Sequence, residues 1–126
     1  MSLKELEENL LREVSLINSP KMVGGIGGRK DSQGLKKEPW HLLPYDALSG
    51  IVKVLWYGAQ KYAERNWELG MNYSDVFGGV MRHLTSWWNR ENTDPETNYS
   101  HLWHAGCGIL FLITYEMRGI GKDDRP

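Results

Sequence analysis

The sequence predicts an all-α fold, a compact bundle of about four helices, and three observations carry that expectation. Apolar residues recur at helical spacing through separate stretches, residues that start or stop helices bracket those stretches, and no segment shows convincing strand alternation. With 126 residues, 40% of them hydrophobic, the chain is long enough for one domain, expected to span 1–126, with a modest core. Six Trp and six Tyr, against two Phe, supply much of its bulk.

Ser2-x-x-Glu5 is a capping box, and Leu3, Leu6, Leu10 and Val14 follow on one face, so a first helix is predicted over 3–17. An apolar stripe of this kind needs a partner, and a second subunit serves as well as the rest of the chain. Residues 18–43 then change character. Five glycines (Gly24, Gly25, Gly27, Gly28, Gly34) lie beside Lys21, Arg29, Lys30, Lys36 and Lys37, with only Asp31 and Glu38 opposing, which predicts a flexible, locally basic loop. Such a loop can close over a phosphate, but neither the dinucleotide fingerprint nor the P-loop spacing is met, and an unspecialised connection is the simpler expectation.

Pro44 suits the first position of a second helix, along which Leu48, Val52, Leu55, Ala59 and Tyr62 repeat to about residue 64. Asn66-Trp67 and Gly70 end it. Ser74 is the expected cap of a third helix, from Asp75 to about Arg90, that turns Val76, Val80, Leu84 and Trp87 inward and carries His83. Asp94-Pro95 reads as the next start signal, placing the beginning of a fourth helix near 95 or 98 and its end at Arg118, before Gly119 and Gly121. The closing KDDRP is expected to fray.

Fifteen Lys and Arg against sixteen Asp and Glu leave a net charge of -1, so nothing global points to nucleic acid or to a membrane surface. The longest apolar run, residues 105–113, has nine residues, far short of the ~20 needed to cross a bilayer. The amino terminus is acidic and amphipathic, unlike a secretory signal, which makes the cytoplasm the default compartment. The single cysteine, Cys107, has no disulfide partner, lies in an apolar helical run and is expected to be buried and inert.

The chemistry concentrates in one stretch. His83, His101 and His104, three of the four histidines, fall within 22 residues together with Glu91, Asp94 and Glu96. A lone helical histidine ordinarily packs and makes a hydrogen bond, and His41 is read that way. His101 and His104, however, stand three apart on one helix face, and His83 sits on the preceding helix, an arrangement from which helical bundles build metal centres.

Four motifs carry a resemblance: LLPYDAL (42–48), YGAQKYAERNW (57–67), RHLTSWW (82–88) and DPETNYSHLWHAGCGILFLITYE (94–116). In order and spacing they resemble the phage dATP/dGTP diphosphohydrolase family over roughly residues 37–116. The resemblance implies a small phage enzyme, related in function to MazG-like nucleotide pyrophosphohydrolases, that cleaves dGTP and dATP to monophosphate and pyrophosphate. It implies a MazG-like bundle completed by homo-oligomerisation, as dimer or tetramer, and in some phages a supply of dGMP for 2-aminoadenine nucleotides. MazG-like enzymes hold magnesium with Glu-x-x-Glu and Glu-x-x-Asp; here His101-x-x-His104 stands where the second motif is expected. Imidazole donors favour manganese, cobalt, iron or zinc over magnesium, so Mg2+, Mn2+ and Co2+ are all candidate cofactors.

For such a reaction the expected metal ligands are His83, Asp94, Glu96, His101 and His104, with Glu91 and Glu96 the candidates for catalytic acid–base work. Lys61, Arg82 and Arg90 are the expected triphosphate contacts, and Tyr62, Asn66 and Trp67 the expected purine contacts. Two other readings use the same residues. An HD-type phosphohydrolase is helical with His and Asp ligands, but the chain has no His-Asp dipeptide. A non-enzymatic helical assembly module would use the cluster for a structural ion.

Overall fold

The computed structural model describes residues 2–17 and 37–126, and of 14–17 only the backbone. They fall into two compact units, Met1–Leu42 and Leu43–Pro126. The first holds helix α1 (Leu3–Ile17) and a 3-10 turn, Trp40–Leu42. At the start of α1 the capping box forms as expected: the Glu5 amide donates to Ser2 Oγ at 3.1 Å and the Ser2 amide to Glu5 Oε2 at 3.4 Å. Such a cap stabilises a helix by about 1 kcal/mol. Leu3, Leu6 and Leu10 are exposed along it. The expected Gly/Lys-rich loop lies largely outside the described residues; His41, expected to pack, is exposed in the short turn.

The second unit comprises α2 (Tyr45–Lys61), a 3-10 turn (Asn66–Leu69), α3 (Tyr73–Trp88) and α4 (His101–Arg118). The architecture is all-α: no strand is present among the described residues, only two isolated bridges. Helix α4 is central, packing most extensively on α3 and also on α2. Its small residues explain why. A methyl group on Gly108 would lie 2.5 Å from Val80 of α3, and one on Gly106 would lie 3.0 Å from Ile51 of α2. From the other side, Gly50 of α2 admits the Trp103 indole, which a methyl there would meet at 2.6 Å. Ala105 and Cys107 are buried between these contacts, with Val76, Val80 and Val54 facing them.

Several sequence expectations shift. On α2 the buried positions are Gly50 and Val54, whereas Val52 and Tyr62 of the expected stripe are exposed. This helix is apolar on more than one side, so periodicity alone could not select the face that meets α4. On α3, Val76 and Val80 are buried as expected, but Trp87 is exposed. Its cap is Asn72 and not Ser74; the Ser74 amide and hydroxyl both bind the carboxylate of Asp124. That contact also corrects the expectation of a frayed end, since the Tyr73 amide donates to the Lys122 carbonyl and the Lys122 amide to that of Met71.

The largest difference concerns Asp94-Pro95, which does not begin a helix. Asp94 Oδ1 accepts the Glu96 amide at 2.7 Å, the Asp94 carbonyl accepts the Asn98 amide, and the Asp94 amide donates to Tyr99. The dipeptide therefore opens a tight turn. Helix α4 begins later, behind Ser100, whose hydroxyl accepts the Leu102 amide at 3.1 Å, and it ends at Gly119 in the left-handed conformation, as expected.

Candidate metal centre and adjoining cavity

Helices α3 and α4, with the tight turn between them, bring His83, Asp94 and His101 together. One ligand atom of each lies within 4.8 Å of the others. His83 Nδ1 is 2.8 Å from His101 Nδ1 and 3.8 Å from Asp94 Oδ2. Two imidazole nitrogens and a carboxylate oxygen are donors that suit a divalent cation. His101 is buried, at 4% exposure.

The other candidates take different places. His104 is outside the triad: its ring stacks on that of His83 (centroids 4.6 Å apart, planes 8° apart) and its Nε2 meets Thr97 Oγ1 at 2.7 Å. Glu91 reaches His101 Nε2 at 3.1 Å. Glu96 points to the end of α2, where its Oε1 accepts from Tyr57 Oη at 3.1 Å and Lys61 Nζ at 3.4 Å. Burial, and secondarily the neighbouring His104, hold the His83 pKa below the ordinary imidazole range despite the opposing pull of Asp94. Burial also lowers His104, again against Asp94. Both shifts favour the neutral rings that metals require.

A cavity of about 970 Å³ adjoins this cluster. His83, Asp94 and His104 line it, as do Lys61, Tyr62, Asn66, Trp67, Tyr57 and Glu96. Arg82 and Arg90 are exposed and not among its lining residues. Trp67 stacks on Phe111 (4.4 Å, 11°), and the buried Tyr115 hydroxyl donates to the Trp67 carbonyl at 2.6 Å, so the indole is anchored from one side. Tyr57 and Thr97 join the site with only indirect signals in the sequence. Tyr57 stands one helical turn before Lys61, and Thr97 lies inside the acidic turn. Cys107 is buried, its thiol pushed up to about 11 by burial, consistent with an inert residue.

A family model described as dATP/dGTP diphosphohydrolase, N-terminal, matches residues 27–125. The chain belongs to this family. A dATP/dGTP diphosphohydrolase of Salmonella phage PMBT28 is 31% identical over 98 residues, covering 78% of this chain and 33% of that protein. The match to this chain thus spans about a third of the length of that curated relative. No solved structure matches. In this member of the dATP/dGTP diphosphohydrolase family, all residues of the His83–Asp94–His101 cluster fall inside the matched segment. No helix among the described residues is long and apolar enough to cross a membrane.

Proposed function

We propose that this chain, acting as a single nucleotide pyrophosphohydrolase domain, hydrolyses dGTP and dATP to the monophosphate and pyrophosphate, in phage nucleotide-pool remodelling. The observation that carries the proposal is the His83–Asp94–His101 cluster beside a cavity lined by Lys61 and Trp67, in a chain of the dATP/dGTP diphosphohydrolase family. His83, Asp94 and His101 hold the cation, and their mixed nitrogen and oxygen donors favour Mn2+ or Co2+ ahead of Mg2+. A divalent cation there supplies Lewis acidity that eases deprotonation of water and neutralises charge on the leaving pyrophosphate.

The remaining roles follow from which groups line the cavity, as Glu96 does and Glu91 does not. Glu91 is engaged with His101, which leaves Glu96, held by Tyr57 and Lys61, as the proton acceptor for the attacking water. Lys61 meets the phosphates, and Tyr62, Asn66 and Trp67 the purine. Exposed apolar side chains on all three helices of the second unit, among them Val52 and Trp56, Phe77 and Met81, Ile109 and Ile113, support a homo-oligomer, dimer or tetramer.

The test incubates metal-free protein with each of the four dNTPs and Mg2+, Mn2+ or Co2+ in turn, with products resolved by anion-exchange chromatography. dGMP and dAMP with pyrophosphate are expected. Nucleoside plus triphosphate would instead establish HD-type chemistry, and no turnover with any pair would overturn the enzymatic reading.

A further inference from the structure

We propose that Glu91 is a positioning residue: it fixes the tautomer of His101 so that a bare Nδ1 lone pair faces His83 and Asp94. The inference deepens the metal-centre reading above and rests on it.

Both ring nitrogens of the buried His101 have partners, and the partners differ in kind. Nε2 lies 3.1 Å from Glu91 Oε1, and Nδ1 lies 2.8 Å from His83 Nδ1. A carboxylate only accepts, so the neutral His101 ring must carry its proton on Nε2 and its lone pair on Nδ1. The opposite tautomer would set a nitrogen lone pair of the buried ring, 4% exposed, against the carboxylate of the half-exposed Glu91. Glu91 therefore selects the form in which His101 is ready to bind a cation, the arrangement by which carboxylates orient metal-binding histidines generally.

The backbone holds Glu91 in place independently of that contact. Its amide donates to the Ser86 carbonyl at 3.0 Å, and the adjacent Asn92 carbonyl accepts the His101 amide at 3.0 Å, which ties the segment carrying Glu91 to the first residue of α4. A one-residue bridge between Thr93 and Ser100 continues the pairing. The proton balance at the neighbouring ring follows. With His101 Nδ1 bare, the neutral His83 ring donates its Nδ1 proton to it in the metal-free protein. Were a cation bound by both rings, His83 would carry its proton on Nε2 instead of Nδ1, and the two neutral rings would release none overall. His101 needs no such change.

The experiment uses the full chain. Long-range proton–nitrogen NMR of the metal-free protein reads the histidine tautomers, and calorimetric titration with Co2+ reads affinity, for wild type, Glu91→Gln and Glu91→Ala, with thermal melts to check folding. His101 is expected as the Nε2–H tautomer in wild type. Glu91→Ala is expected to lose that preference and to bind Co2+ about 10–100-fold more weakly. Glu91→Gln, whose amide oxygen still accepts from Nε2–H, is expected to keep the tautomer and most of the affinity. A wild-type His101 protonated on Nδ1, or a folded Glu91→Ala with unchanged Co2+ affinity, would overturn the inference. Should wild type take up no Co2+, the metal-centre reading fails, while the tautomers of the metal-free protein still decide what Glu91 does.

Discussion

On the α3–α4 side of the cavity the imidazoles are at least half-buried and joined to one another and to Glu91 and Thr97, with His101 at 4% exposure. Around the end of α2 the side chains of Lys61 and Glu96 are 47% and 62% exposed and hold each other at 3.4 Å. The difference separates two tasks. A metal centre gains from ligands fixed in advance by packing and hydrogen bonds, because any loosening is repaid in affinity. An exposed ion pair contributes about 0–1 kcal/mol, so a polyanion can draw Lys61 away from Glu96 at little cost. The first wall is built for geometry and the second for exchange.

The sharpest way to break this comparison is to remove a ligand. His101→Ala or His83→Ala is expected to weaken Co2+ binding, and dNTP turnover with it, by more than the about 100-fold that outer-shell changes reach. Calorimetry and product chromatography read both losses, and a variant that kept its metal would show that the rings serve packing alone. Next in size is Gly108→Val, which pushes a side chain into Val80 where even a methyl would lie at 2.5 Å. Overpacking of this kind costs about 1–3 kcal/mol and should lower the thermal midpoint while also weakening Co2+, because α3 and α4 each carry an imidazole of the candidate site. Lys61→Ala tests the other wall. KM for dGTP is expected to rise on the order of tenfold with Co2+ affinity unchanged, and a loss of Co2+ affinity would join the two walls into one.

The smallest expected effect is one of pH. Burial holds the pKa values of His83 and His104 below that of a free imidazole, about 6.5, so the unfolded chain binds protons at a pH where the folded one does not. Stability is therefore full above about pH 6.5 and declines as pH falls from there through the lowered values. Urea unfolding of metal-free protein at a series of pH values should show that decline, and His104→Asn should reduce it. A flat profile would show that the rings remain open to solvent.

Local signals read well where their partners are close in sequence. The capping box at Ser2 and Glu5, the end of α4 at Gly119 and the burial of Cys107 could all be seen from a few residues. Convergence of His83 and His101 was also legible, since helical patterns on either side of a short connection leave few alternatives. Asp94-Pro95 misled because the same residues that cap a helix also build a tight turn, and pairing of Asp94 with Tyr99 decides for the turn. Sequence named both Asp94 and Glu96 as candidates, and that Asp94 is the carboxylate lying beside His83 and His101 while Glu96 turns to Lys61 depends on which way that turn points each side chain. The inward face of α2 is set by Trp103 filling the space above Gly50, a contact between residues far apart in the chain.

One feature of the cluster bears on how the chain folds. His83 and His101 are 18 residues apart, and Asp94 and Glu91 lie between them, so every member of the candidate cation site belongs to one hairpin of α3 and α4. The entropy lost in closing a loop grows only slowly with its length, and a loop this short is among the less costly to close. A bound cation would act there as a clasp, joining two helix ends with no help from α2. Chelation should therefore loosen the α3–α4 hairpin first, seen as faster amide exchange in α3 and α4 than in α2.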